Sequence, residues 1–166
     1  RALGTFFAQD DITLLSRAAG LESWEWAFRQ FSAGLLFRLE YAAFGLDPFG
    51  YHAVNLLLHL LNVAGVYALG VRLLGGRTAA GSAAALFGSS SIAFTPLHWA
   101  TGVVELLTCT LLLGATLLHL ESQGRSQAWL WAAASVALLA MLSKESAATW
   151  LLVVALAIPI TFAGAH

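Results

Sequence analysis

After Pro48 the chain falls into five apolar runs separated by short polar breaks. The first runs from Phe49 to Gly70, and Arg72 and Arg77 flank the Gly75-Gly76 turn behind it. The second, Thr78 to Phe94, is rich in Ala, Gly and Ser. Small residues let helix backbones approach closely, so this run is predicted to lie inside a bundle, with Gly81, Ala85 and Gly88 as its contact face. Thr95-Pro96 breaks it. The third run, Trp99 to Leu120, closes at the polar stretch Glu121 to Gln127, and the fourth covers Ala128 to Leu142. Ser143-Lys144-Glu145 is the next turn, followed by Ser146 to Gly164 with a kink expected at Pro159. A spanning helix needs about 20 mostly apolar residues, so these runs predict about five short spans. Trp99, Trp129, Trp131 and Trp150 sit near run ends, where an aromatic belt places them.

Residues 1–47 follow a different pattern. Residues 6–20 predict a short helix that starts at Asp10-Asp11, with Asp10 as N-cap, and ends at Gly20. In residues 22–44, Trp24, Phe28, Phe31, Leu35, Leu39 and Ala42 recur at helical spacing, with Glu22, Glu25, Arg29 and Ser32 opposite. That pattern predicts an amphipathic helix lying along a membrane surface. Gly45-Leu46-Asp47-Pro48 ends it, and Pro48 suits the first position of the next helix. The expected fold is all-α: a polytopic membrane bundle of about five spans over residues 48–166, preceded by an external loop, residues 1–47, that carries the amphipathic helix.

Composition supports that division. The chain is 59% hydrophobic and 10% charged, too few charges to cover a soluble globule. Ten of its seventeen Asp, Glu, Lys and Arg residues precede Pro48. A formal net charge of −1 leaves no basic footprint for nucleic acid. Cys109 is alone and mid-run, which excludes a disulfide framework and reads as a small buried apolar residue. The chain does not begin with Met and has no basic leader with a cleavage site, as expected of part of a longer or processed protein. Arg72, Arg77 and Arg125 against Lys144 predict, by the positive-inside rule, that the three arginines face the cytoplasm. Residues 1–47, Pro96, His98, Glu105 and Lys144 then share the opposite face.

Several residues there could carry chemistry. Asp10-Asp11 can hold a divalent cation or supply a general base, or can simply cap a helix and favour its dipole. Glu105 lies about two turns into an apolar run, and an acid there is a functional hypothesis by default. Its plainer reading is a pair with His98 or Lys144. Lys144 with Glu145 is either a surface ion pair or a phosphate-binding ammonium at headgroup level. His52 and His59, with Asn55 and Asn62 on nearby faces, could ligate haem but read better as interhelical hydrogen-bonding groups.

The order of these pieces resembles a known family. An acidic pair in an external loop precedes an amphipathic segment and then FRLEYAAFGLDPFGYHAVNLLLHLLNVAGVYALGVRLLGGR. Pro96, Trp99-Ala-Thr-Gly102-Val-Val-Glu105-Leu-Leu and Ser143-Lys144-Glu145 follow. Together they look like the N-terminal half of GT-C class integral-membrane glycosyltransferases, in the protein O-mannosyltransferase-like branch. The chain departs from that branch in having Phe28-Arg29-Gln30-Phe31 for Tyr-Arg-Pro-Leu, Thr95 for the His before Pro96, and Val103 for an Arg. The resemblance implies sugar transfer from a polyprenyl-phosphate carrier to an acceptor on the non-cytoplasmic face. It makes Asp10 or Asp11 the base or a metal ligand, and makes Lys144, Arg29, Glu105 and His98 the donor-binding set. Membrane lipid and other membrane subunits are the remaining expected partners. The implied location is a bacterial inner membrane with residues 1–47 periplasmic. The competing class is a non-catalytic structural subunit built on the same fold.

Overall fold

The computed structural model describes residues 2–8, 10–23, 29–123 and 125–151. Every regular element among them is helical. Helix α1 spans Asp10–Ala18. A π-helical turn, Gln30–Leu36, runs directly into α2, Phe37–Phe44. Then come α3, Pro48–Leu74, α4, Arg77–Gly88, and a short α5, Phe94–His98. Helices α6, Val103–Ser122, and α7, Gln127–Ser143, form an antiparallel pair followed by a 3-10 turn, Glu145–Ala148.

Local chemistry explains most boundaries. Gly20 takes a φ of 78°, and Leu21 N–H donates back to the Ser16 carbonyl at 2.9 Å, closing α1. The Asp47 side chain accepts from Phe49 N–H at 3.0 Å, Pro48 holds the first position of α3, and Gly75 ends that helix at φ 66°.

Two helices are long and apolar enough to cross a membrane, Pro48–Leu74 with 27 residues and Ala100–Ser122 with 23. Helix α7 is apolar but has 17 residues. The 78–94 run is not one long helix. Helix α4 has 12 residues, about 18 Å of rise, and stops at Gly88. Most of the fifth run, with Pro159, lies outside the described residues.

The break after α4 is satisfied by one face of α3. His52, Asn55, His59 and Asn62 recur at i, i+3, i+7 and i+10, and all four are buried. His59 Nε2 donates to the Gly88 carbonyl at 3.1 Å. Asn55 Nδ2 reaches the carbonyls of Trp99 at 2.8 Å and Pro96 at 3.1 Å. Asn62 Nδ2 donates to the Leu106 carbonyl at 3.0 Å, and Thr110 donates to Asn62 Oδ1 at 2.8 Å. His52 Nε2 meets the Thr5 carbonyl at 3.0 Å. A carbonyl only accepts, so Nε2 carries the proton in both histidines. The Nε2 atoms of both histidines thus serve as hydrogen-bonding groups between segments, the plainer of the two readings of these residues.

The core sits at the end of the bundle nearest residues 1–47. Phe7, Leu15, Ala33 and Phe37 pack there against Tyr51, Leu58, Val103 and Val104. Tyr51 is its centre, with ring centroids 5.3 Å from Phe7 and 5.2 Å from Phe37, and its hydroxyl donates to the Gly45 carbonyl.

Arg29 interrupts the expected 22–44 helix, whose apolar stripe is expected to face lipid or the bundle. It takes a left-handed φ of 45° directly before the Gln30–Leu36 turn; Trp24, Glu25 and Phe28 lie outside the described residues. Ser32, Ala33, Phe37 and Glu40 face inward, while Leu35 and Leu39 are exposed. Phe31 is half-buried, and Ser32 Oγ on the inward face donates to the buried Ser143 carbonyl at 2.6 Å.

The contact face of α4 also differs from expectation. Ala80 and Ala84 are buried, whereas Ala85 is exposed and a Cβ on Gly81 would touch nothing within 4 Å. A Cβ on Gly70 would lie 3.0 Å from the Ala80 backbone, and one on Gly88 would lie 3.0 Å from Val63. We expect Gly70→Leu to lower stability by roughly 1–3 kcal/mol through overpacking, and Gly81→Leu to leave it nearly unchanged. Thermal unfolding in detergent measures both, and equal midpoints for the two variants would contradict this packing.

Candidate functional site

Charges collect at the two ends of the long helices. At one end Arg72 pairs with Glu121, and Arg125 reaches the same carboxylate at 3.2 Å. His52 and Arg72 lie 20 residues apart on α3, about 30 Å, which matches the hydrocarbon thickness of a bilayer. The other end holds the acidic pair, Arg29, Glu105, Lys144 and Glu145.

Asp10 and Asp11 open the same helix but face opposite ways. Asp11 is fully buried. Its Oδ1 accepts from Thr101 N–H at 2.7 Å, and its Oδ2 accepts from Ala8 at 3.1 Å and Ala100 at 3.2 Å. It therefore anchors the loop before α6. Asp10 is exposed and is the first helical residue rather than a side-chain cap. Asp11 is buried with both oxygens on backbone N–H groups while Asp10 is exposed, so the two carboxylates serve different surroundings. No cluster of three His, Cys, Asp or Glu among the described residues could hold a metal ion.

Asp10 lines a cleft of ≈ 360 Å³ with Arg17, Arg29, Trp99, Thr101 and Glu105. Leu14, Ala33, Pro96 and Val104 form its apolar wall. Glu105 also lines a second, apolar groove of ≈ 320 Å³ with Thr108, Cys109, Leu112 and Thr116. Lys144 lines that groove and pairs with Glu105 at the junction between the two.

Arg29 is tied to Glu145 by two bonds, Nη2 to Oε1 at 3.0 Å and Nε to Oε2 at 3.3 Å. The Glu145 bond raises the guanidinium above its ordinary range; burial opposes this, and the charges of Glu145, Glu105 and Asp10 add to the rise. The Arg29 bond pulls Glu145 down to about 2.

Of the residues singled out from sequence, Asp10, Arg29 and Glu105 meet in one cleft, with Lys144 attached through Glu105. Asp11 is withdrawn into the backbone. His98 does not line the cleft; its Nδ1 lies 2.8 Å from the Phe94 carbonyl and its ring stacks on Phe94. Sequence reasoning missed Arg17, Thr101 and the role of Glu145. Only helical spacing from Asp10 to Thr13 and Arg17 could have placed Arg17 on the same face.

Glu40 was also unforeseen as a site of interest. It is 3% exposed and neither carboxyl oxygen has a hydrogen-bond partner. Burial pushes its carboxyl up to about 8, from 4.5. The folded chain thus keeps Glu40 protonated while the unfolded chain ionises above pH 4.5. Stability from this group is complete below that pH and is lost as pH rises towards about 8. Glu40→Gln should raise the unfolding midpoint at pH 8 by the equivalent of a few kcal/mol and flatten the slope below it. An unchanged pH profile would show that Glu40 ionises freely.

Comparison with known proteins gives a partial relationship. The chain is 34% identical over 119 residues to the protein O-mannosyl-transferase Tmtc1 of Drosophila melanogaster. The match covers 71% of this chain and 14% of that protein, so the chain spans about a seventh of the relative's length. No protein-family profile matches, and no solved structure matches. The similarity relates the chain in part to a glycosyltransferase, and the two long apolar helices agree with a membrane protein.

Proposed function

We propose that the chain is part of a GT-C type membrane glycosyltransferase that takes a sugar, mannose in the first instance, from a polyprenyl-phosphate carrier. The observation that carries this is the convergence of Asp10, Arg29 and Glu105 on one cleft beside the Lys144–Glu105 pair. The similarity to an O-mannosyl-transferase supplies the reaction class.

The chemistry follows from the geometry. Asp10 is the exposed carboxylate and takes the proton of the acceptor hydroxyl as its oxygen attacks the anomeric carbon. The bond from that carbon to the phosphate oxygen breaks, and the phosphate leaves with the electron pair. Arg29 and Lys144 stabilise the departing charge, each released from a carboxylate as the phosphate arrives. The apolar groove beyond Glu105 accommodates the hydrocarbon tail. A second reading, a non-catalytic structural subunit, draws on one observation: Lys144 and Arg29 are both already neutralised by carboxylates.

Asp10→Asn in the full-length parent should reduce turnover with polyprenyl-phosphate mannose on the order of a hundredfold or more, with an unchanged unfolding midpoint. Asp11→Asn should instead lower the midpoint, since one amide face turns a donor towards backbone N–H groups. Lys144→Ala should weaken use of the phosphate-linked donor. Full turnover in Asp10→Asn would remove Asp10 as the base, and no turnover in the wild-type protein would support the structural reading.

In the topology of this proposal the cleft lies on the non-cytoplasmic side, periplasmic in a bacterial inner membrane, and the arginine end is cytoplasmic. With Cys109 replaced, a cysteine at Ser23 should react with an impermeant reagent from outside, and one at Arg77 should not. The reverse pattern would invert the orientation.

A further inference from the structure

The backbone at Trp99 is held by several hydrogen bonds. Its N–H donates to the Thr95 carbonyl at 3.1 Å, and its own carbonyl accepts from Gly102 N–H at 3.1 Å and from the buried Asn55 at 2.8 Å. The next two N–H groups, of Ala100 and Thr101, donate to buried Asp11. A Cβ on Gly102 would fall 2.0 Å from the Pro96 carbonyl oxygen, so the two limbs of this loop touch. Two buried polar residues and a close backbone approach thus fix the backbone of residues 95–102.

The large side chain at the centre of that loop is not spent on the hydrophobic core. Trp99 is half-buried, is absent from the apolar cluster around Tyr51, and makes no ring pair among the described residues. It lines the cleft instead, together with Asp10, Arg17, Arg29 and Glu105. An aromatic side chain on a fixed backbone, lining a cleft with carboxylates and guanidinium groups, matches the two sides of a sugar ring. The C–H face of a pyranose carries slight positive charge and meets the negative face of an aromatic ring. Its hydroxyls pair with charged donors and acceptors across from it. A volume of ≈ 360 Å³ falls within the range of small-ligand sites, about 300–1,000 Å³.

We infer that Trp99 is a stacking platform for a pyranose, placing the sugar ring between its indole face and the Asp10–Glu105 side of the cleft. This rests on the transferase reading for the identity of the ligand as a sugar. It adds a binding residue to that site, distinct from the acid–base and phosphate groups. The other use of a tryptophan at this depth is as an interfacial anchor in the lipid headgroups, and the two uses differ in what they need. An anchor needs an amphipathic ring anywhere at the boundary; a platform needs an aromatic face inside the cleft.

The test uses the full-length protein in nanodiscs, with methyl α-mannopyranoside as probe in saturation-transfer NMR. Wild type should transfer saturation to the protons of one ring face. Trp99→Phe keeps an aromatic face and should retain the signal. Trp99→Leu keeps apolar bulk without the face; it should lose the signal and raise the KM for the phosphate-linked donor about tenfold, the scale of losing one aromatic contact. Equal signals in the Phe and Leu variants, or none in wild type, would overturn the inference. A lower unfolding midpoint in Trp99→Leu with sugar binding unchanged identifies an anchor and also overturns it. A Trp99-dependent signal in a protein with no transfer activity upholds the platform while removing the transferase reading. Normal transfer and KM in Trp99→Leu does the opposite.

Discussion

Backbone carbonyls freed by a broken helix, buried where water is scarce, must find donors, and one face of α3 supplies them. Removing such a group from water without a partner costs a few kcal/mol on typical scales. The second apolar run stops being a helix at Gly88 and passes through a short α5 before α6 begins. His59 takes the carbonyl at the first break, and Asn55 those at the second. The rest of the site depends on this arrangement, because the loop that carries Trp99 and Thr101 into the cleft is held open by Asn55 from below.

Asp11 completes the same loop from the other side. Two adjacent carboxylates in the same helical turn end up in opposite roles because successive helical side chains point about 100° apart. One turns into a concentration of backbone N–H groups and becomes structural. The other remains at the cleft with its oxygens available. Asp11 thus ties the start of α1 to the loop before α6, and Asp10 stands beside it at the cleft.

Charges at this end are arranged in pairs. Arg29 holds Glu145, and Lys144 holds Glu105, so neighbouring residues 144 and 145 bind to different helices. With Ser32 bonded to the Ser143 carbonyl, the turn after α7 clamps the π-helical segment to the bundle. Such exposed pairs add little to stability. Their effect is positional: they hold the turn after α7 beside the cleft, against Arg29 and α6.

The sequence by itself determined that the chain is helical and apolar, where α1 ends at Gly20, and where α3 starts at Pro48. Those features rest on local chemistry: hydropathy, glycine at positive φ, and proline at a helix start. It also separated the Arg-rich end from the acidic end, because charges avoid apolar runs. It did not tell Asp10 from Asp11, since both satisfy the same local pattern and only the loop before α6, ninety residues away, decides which one is buried. The length of α4 was hidden for a similar reason: nothing in 78–94 before Pro96 forbids a helix, and the break is stabilised by donors on α3. The inward face of the 30–44 segment, with Ser32 bonded to the Ser143 carbonyl, was likewise set by a contact more than a hundred residues away. Trp99 read as a belt residue until tertiary structure placed it in a cleft, because a side chain's partners are set by what folds against it rather than by its neighbours in the chain.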